Sequence, residues 1–367
     1  MAERQVQRGS QGAQLQAGRD IIQVQGVDLD TAKEVIEAKA IILRGELTDL
    51  AAAAVDERMR GLEDRLLHRM QDTPMLAAFA SPDFQFNILE AQRSAARSSS
   101  GDDLDLLVEL LAQRAEFTET PRLKMATRKA LDVVGQVSTQ TLMGLTALWY
   151  GIRLTTDLAD LGQYLDDMET RLAPLVEFGL PAPEGGQAWL SDLAELGCVR
   201  LGFSGIGGLK TFTQIIATSK FPALTATGLD ETQASALKQR LEAYGLDAGG
   251  LVVPHPIVPG MFSLVGQSET AFREIADRVP RSESVNADYD SVIVDAVVQN
   301  HYEQTVGNWE GLLRDLLATR PGLMAIDKWW HDFPAVELTS VGVALAYANF
   351  RRAVPNITFS SLDGLFG

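Results

Sequence analysis

Anion binding is the first chemistry that the residues of this sequence suggest. In Leu201-Gly202-Phe203-Ser204-Gly205-Ile206-Gly207-Gly208-Leu209-Lys210-Thr211, four glycines precede a lysine and a threonine. Backbone amides of such a loop, with an ammonium group beside them, can cradle a phosphate. The spacing departs from each established pattern. A P-loop carries its lysine directly after the second glycine, whereas Leu209 intervenes here; a dinucleotide fingerprint would need glycine in place of Lys210, and a nucleophile elbow would need it in place of Ile206. A flexible connector accounts for the glycines better. Gly205, Gly207, Gly208 and Lys210 are the candidate anion-binding groups if the loop holds a ligand at all.

The remaining reactive side chains are scattered. The four histidines, His68, His255, His301 and His331, have no second histidine or cysteine at ligand spacing, so no metal site is expected. His331 follows Trp329-Trp330 and precedes Asp332, a pair with general-base potential, although a core or interface histidine accounts for it as well. His255 sits in the rigid turn Pro254-His255-Pro256. Cys198, the single cysteine, lies in an apolar stretch and reads as a small core residue, and one thiol excludes a disulfide framework. Paired acids at Asp102/Asp103/Asp105, Asp157/Asp160, Asp166/Asp167 and Asp288/Asp290 could each hold a hard cation. With 49 acids in the chain such pairs arise by chance, and helix starts explain several. No catalytic residue and no cofactor is expected. Trp329, Trp330 and Phe333 read as a core or interface anchor.

The elements that position these residues are mostly helical. From Thr31, with Glu34 at capping-box spacing and Asp28 and Asp30 at a helix start, strong helix formers run to about Met70 as one long helix, with Gly45 and Gly61 as weak points. Ser81-Pro82 starts a helix to about Ala96. Further helices are expected at about 102–117, 121–136, 138–154, 157–178 and 186–198. From about 221 to 281 the pattern becomes strand, helix, strand, strand, helix: extended near 223–227, 251–254 and 261–265, helical over 230–244 and 268–279. Helices return at about 287–302, 305–319, 321–332 and 337–352. The fold class is mainly α, with an N-terminal β-strand segment, a multi-helix body and a small α/β unit in the C-terminal half. The expected divisions are 1–27, 28–200, 201–283 and 284–367.

Residues 1–27 form the most distinctive segment. Ala13-Gln14-Leu15-Gln16-Ala17 and Ile21-Ile22-Gln23-Val24-Gln25 alternate with period two around the turn residues Gly18-Arg19-Asp20. Strands this short are not stable alone, and glutamine ladders in a proline-free segment favour pairing of identical copies; a hairpin docked on its own domain and a disordered tail are the alternatives. Gln14, Leu15, Gln16, Ile21, Ile22, Gln23, Val24 and Gln25 are the candidate oligomerisation residues, and a second copy of the chain is the expected partner, with another protein as a further one. A formal charge of -17 disfavours nucleic acid. No apolar run reaches the ~20 residues of a membrane span. The best stretch, Leu131 to Leu154, is interrupted by Asp132, Gln136, Gln140 and Arg153, and a cytoplasmic protein without resting membrane contact is expected.

The opening Gln14-Leu15-Gln16-Ala17-Gly18-Arg19-Asp20-Ile21-Ile22 followed by a helix resembles a group of uncharacterised bacterial proteins. The close, Leu338-Thr339-Ser340-Val341-Gly342-Val343-Ala344-Leu345-Ala346-Tyr347-Ala348-Asn349, looks like that group's terminal helix, and its LT-x-x-G start is similar to abortive-infection alpha-type proteins. The resemblance covers the two ends of the chain only. It implies fold information and, by association, a role in phage defence; it transfers no active site. The leading expectation is a non-enzymatic homo-oligomeric scaffold, sensor or effector. The alternatives are a metal-dependent hydrolase or nuclease, with Asp288 as ligand, and a membrane-active effector that rearranges the 131–154 helix.

Overall fold

The computed structural model describes residues 28–354, apart from 45–48, 72, 99, 118–120, 154–160, 183–187, 203–208, 218–223, 225–227, 244, 266–307, 331–332 and 334. The segment 1–27 and its eight candidate oligomerisation residues lie outside the described residues.

Helix α1 (Leu29–Arg44) starts at Asp28 rather than Thr31. The Asp28 carboxylate accepts the Thr31 backbone N–H at 2.8 Å, and hydrogen bonding to Thr31 lowers its pKa from the ordinary value. Helix α2 (Asp49–Arg69) follows. The single long helix expected to Met70 is therefore two helices, which pack on each other and on α4 (Pro82–Arg97). Gly45, one of the two weak points, falls between the two helices, outside the described residues. Burial explains the break: turning back lets Ala32, Ile36 and Ala40 of one half and Met59, Leu62 and Leu66 of the other leave water together.

A short α3 (Thr73–Leu76) and a 3-10 turn lead to Ser81 and Pro82, which start α4 as their types predict. Helix α5 (Gly101–Glu116) is capped by Ser100, whose hydroxyl oxygen accepts from the Asp102 N–H at 3.1 Å. Then come α6 (Pro121–Val133), α7 (Thr139–Arg153), α8 (Leu161–Phe178) and α9 (Ala188–Glu195). Residues 142–151 of α7 are all buried, so its apolar circumference is that of a core helix. Among the described residues no helix is long and apolar enough to cross a membrane.

Strand β1 (Val199–Leu201) follows α9 directly, and a single turn of helix, α10 (Phe212–Ile215), comes after the glycine-rich loop. The α/β unit consists of α11 (Glu231–Ala243), α12 (Ala248–Leu251), β2 (Val252–Pro254) and β3 (Phe262–Leu264). Its two strands are antiparallel, with a bridge from Leu229 to Phe262. Of the extended piece expected at 223–227 only Leu224 is described, and the helix expected at 268–279 lies outside the described residues. The chain closes with α13 (Trp309–Leu317), α14 (Pro321–Trp329), β4 (Val336–Leu338) and α15 (Ser340–Ala353). Strand β4 pairs antiparallel with β1, placing Val199 opposite Leu338. Helix α15 then enters the body, where it packs against α5, α6 and α7 with residues 341–350 all buried. The architecture is mainly α with small two-stranded sheets.

Candidate functional site

The glycine-rich loop is fixed at both described ends to the segment between α14 and β4. The Gly202 N–H donates to the Ala335 carbonyl at 2.7 Å, and the Leu209 N–H donates to the Phe333 carbonyl at 3.0 Å. The Trp330 indole N–H reaches the Lys210 carbonyl at 3.2 Å, while Lys210 itself is exposed. Gly205, Gly207 and Gly208 lie outside the described residues, as do His301, His331, Asp288 and Asp290. The Thr211 hydroxyl and the Gln214 side chain form a reciprocal cap on α10 immediately after the loop.

Three of the other candidates have structural duties. Trp329 and Trp330 pack with Phe333, Trp189 and Phe212 as a buried aromatic cluster, with Trp329 and Phe333 rings 4.9 Å apart edge to face. The Trp329 indole N–H donates to the Pro181 carbonyl at 3.0 Å. Cys198 is buried, and burial pushes its thiol up to about 12, so it is no thiolate nucleophile at neutral pH. His255 is buried, and its Nδ1 accepts the backbone N–H groups of Ile257 (3.3 Å) and Val258 (3.1 Å). That role needs an unprotonated Nδ1 and makes His255 the brace of its own turn. His68 is exposed on α2.

The described acid pairs are each engaged. Asp102 meets Arg352 at 3.3 Å, Asp103 accepts the Ser98 hydroxyl at 2.5 Å, and Asp105 meets Arg65 at 2.8 Å. Asp166 pairs with Arg320 and Asp167 with Arg171. Among the described residues no group of three or more His, Cys, Asp or Glu is placed to hold a metal ion.

Among the described residues a dense polar arrangement surrounds α15, and it involves residues of the C-terminal motif. Thr339 caps the helix: its hydroxyl oxygen accepts the Gly342 N–H at 3.2 Å and donates to the Gly197 carbonyl at 2.7 Å. Gly342 lies so close to the Cys198 carbonyl that a Cβ at that position would stand 2.0 Å from the oxygen. Two turns on, fully buried Asn349 donates to the Thr146 hydroxyl at 2.8 Å and accepts from Arg352 at 2.9 and 3.1 Å. The Thr146 hydroxyl in turn donates to the Leu142 carbonyl at 2.7 Å.

At the far end of α15, Arg351 joins Arg69 of α2 in a four-membered ion network with Glu109 and Glu116 of α5. Arg69 reaches Glu109 at 2.7 Å and Glu116 at 3.3 Å; Arg351 reaches Glu116 at 2.5 Å and Glu109 at 3.3 Å. Two cations neutralise two carboxylates, and every carboxylate oxygen faces a guanidinium. The network fastens α15 to α2 and α5 instead of presenting an unused group to a substrate. Sequence reading missed it, since Arg69 and Arg351 lie far from the acids in the chain. The available signal was the spacing of Asp102, Asp105, Glu109 and Glu116, which puts four acids on one side of α5.

Burial raises the Glu116 pKa from its ordinary value, outweighing the lowering by Arg69. The folded chain therefore holds this proton to a higher pH than the unfolded chain does. The resulting destabilisation is present above the folded value and disappears as the pH falls through it to the unfolded one. Glu116→Gln should flatten that part of the stability profile, read as urea midpoint against pH. A profile of unchanged shape would show that Glu116 is not its source.

No curated protein and no solved structure matches this chain. A family model described only as ":-like" matches residues 26–363, from just before α1 to beyond α15, and the chain belongs to that family.

Proposed function

We propose that the protein is a non-enzymatic, self-associating scaffold or sensor of a bacterial antiphage system, assembled through residues 1–27. The observation that supports this reading is exposed apolar side chains on α1, the first described helix after that segment in the chain, and on its neighbour α4. Leu29 of α1 is 45% exposed, and Phe86 of α4 is 65% exposed beneath the Lys39 ammonium of α1. Bulky apolar side chains at such exposure fit a surface that another copy covers. The defence role rests on the resemblance of the two chain ends to abortive-infection alpha-type proteins. Self-pairing of alternating Gln14–Gln16 and Ile21–Gln25 runs supplies the driving force, and the cytoplasm is the compartment in which such an assembly would act.

Deleting residues 1–27 should convert an oligomer into monomers in light scattering, with the far-ultraviolet circular dichroism of the helical body retained. Phe86→Glu should weaken the assembly without dissolving it. A truncated chain of unchanged oligomeric mass would overturn the assembly role, and a monomeric full-length chain would do the same.

A further inference from the structure

Helix α6 departs from the charge balance of the chain. In a protein of net charge -17, its exposed side carries Arg122, Lys124, Arg128 and Lys129 against one acid, Asp132. Lys124, Arg128 and Lys129 enter no ion pair among the described residues. Met125 stands among these cations at 71% exposure, one turn from Arg122 on one side and from Arg128 and Lys129 on the other. Leu123, Ala126, Ala130 and Leu131 face the opposite way and are buried.

Helix α1 carries the reverse charge. Asp30, Glu34, Glu37 and Ile41 recur at steps of four and three residues, which sets them in one exposed stripe, with Lys33 beside it. The three acids enter no ion pair among the described residues, and Ile41 is 63% exposed. Helix α4 fixes where the two faces point. Its Gln92 amide donates to the Ile36 carbonyl of α1 at 3.1 Å, and its Ser94 hydroxyl donates to the Leu131 carbonyl of α6 at 2.6 Å. Residues two apart lie on nearly opposite sides of a helix, so α1 and α6 flank α4. The acidic stripe and the basic face are therefore on opposite sides of a three-helix layer, and neither can neutralise the other within one chain.

We propose that the basic face of α6 on one copy docks on the acidic stripe of α1 on the next, with Met125 against Ile41. The contact rests on assembly through residues 1–27. Two chains of net charge -17 repel each other, and exposed ion pairs are individually weak, so it forms only between copies that are already held together. Its contribution is orientation, because complementary charge decides which face meets which. The two faces differ, so the contact is head to tail and builds a closed ring or an open row according to the rotation between copies.

Cross-linking of the full-length chain tests this geometry. With Met125→Cys and Ile41→Cys in one chain, a short bis-maleimide should join successive copies into a ladder on a denaturing gel. Cys198 is buried and does not compete. Either substitution alone should give little cross-linked dimer, since a head-to-tail contact brings unlike positions together. Adding Glu34→Lys and Glu37→Lys should cut the yield severalfold, although it brings the net charge closer to zero and would favour nonspecific association. Further addition of Arg128→Glu and Lys129→Glu reverses both faces and should restore the ladder. All the substituted positions are exposed, so the circular dichroism of the helical body should not change. An oligomer of unchanged mass without a ladder, equal dimer from either substitution alone, or a yield indifferent to Glu34→Lys and Glu37→Lys would each overturn the contact and leave assembly through residues 1–27 standing. A monomeric full-length chain in light scattering would overturn both. Retention by phosphatidylserine vesicles that Arg128→Glu and Lys129→Glu abolish, with no ladder, would give the face to an anionic membrane and overturn the docking of copies.

Discussion

Gly342→Ala should lower the stability of the protein by about 3 kcal/mol or more, because the added methyl group has nowhere to go. Its Cβ would sit 2.0 Å from the Cys198 carbonyl oxygen and 3.0 Å from the carbonyl carbon. Both are backbone atoms, held by the β1–β4 ladder on one side and by the Thr339 bonds on the other. Relief requires α15 to shift, and its buried face touches α5, α6 and α7. Gly135→Ala is the control: a Cβ there meets nothing within 4 Å, and its effect should stay within ~0.5 kcal/mol. Denaturant midpoints followed by circular dichroism distinguish the two. A Gly342→Ala midpoint equal to that of Gly135→Ala would show that the helix is not seated against Cys198.

The close approach at Gly342 was not readable from residue types, although the motif around it was. Local signals placed several helix limits: Ser81-Pro82 starts α4 as expected, and the helices expected from about 102 and 121 begin at Gly101 and Pro121. Distant contacts decided the rest. The split between α1 and α2 was signalled only as a weak point at Gly45, and the packing of the two helices on each other decides it. Glu337 and Leu338, expected at the start of the last helix, lie instead in β4 (Val336–Leu338), because Val199–Leu201 offers that segment a partner. The site candidates behaved the same way. Cys198 was legible as core from its apolar neighbours, and the Trp329–Trp330 pair, from its bulk, as a core or interface anchor. The Arg69–Glu109–Glu116–Arg351 network joins three helices distant in the chain, and no window along the sequence contains it.

Asn349→Leu should be the most damaging change at a polar site of α15, costing about 2–4 kcal/mol. Asn349 bridges α15 to α7 through Thr146 and supplies an acceptor to Arg352, which is itself only 11% exposed. Leucine removes both interactions, strands part of a buried guanidinium, and adds branching where the packing is close. Thr146→Val alone should cost less, since it removes one hydroxyl whose donor bond stays within α7. The two effects share one bond, so the double variant should be more stable than their sum predicts by ~0.5–1.5 kcal/mol. Urea titrations of the wild type, both single variants and the double variant provide that coupling energy. Strict additivity would mean that Thr146 and Asn349 do not interact.

Helix α15 is made long after the helices it fills. Roughly 190 residues separate Arg153 at the end of α7 from Ser340, so at ~5–20 residues per second the ribosome leaves α5, α6 and α7 without their fourth wall for about 10–40 s. During that interval the slot that will receive Val343, Leu345, Ala346 and Phe350 is an open apolar surface on a nascent chain. The body cannot be sealed domain by domain as it emerges. Its final closure waits for the late arrival of α15, and until then the half-built bundle is the state most in need of chaperone cover.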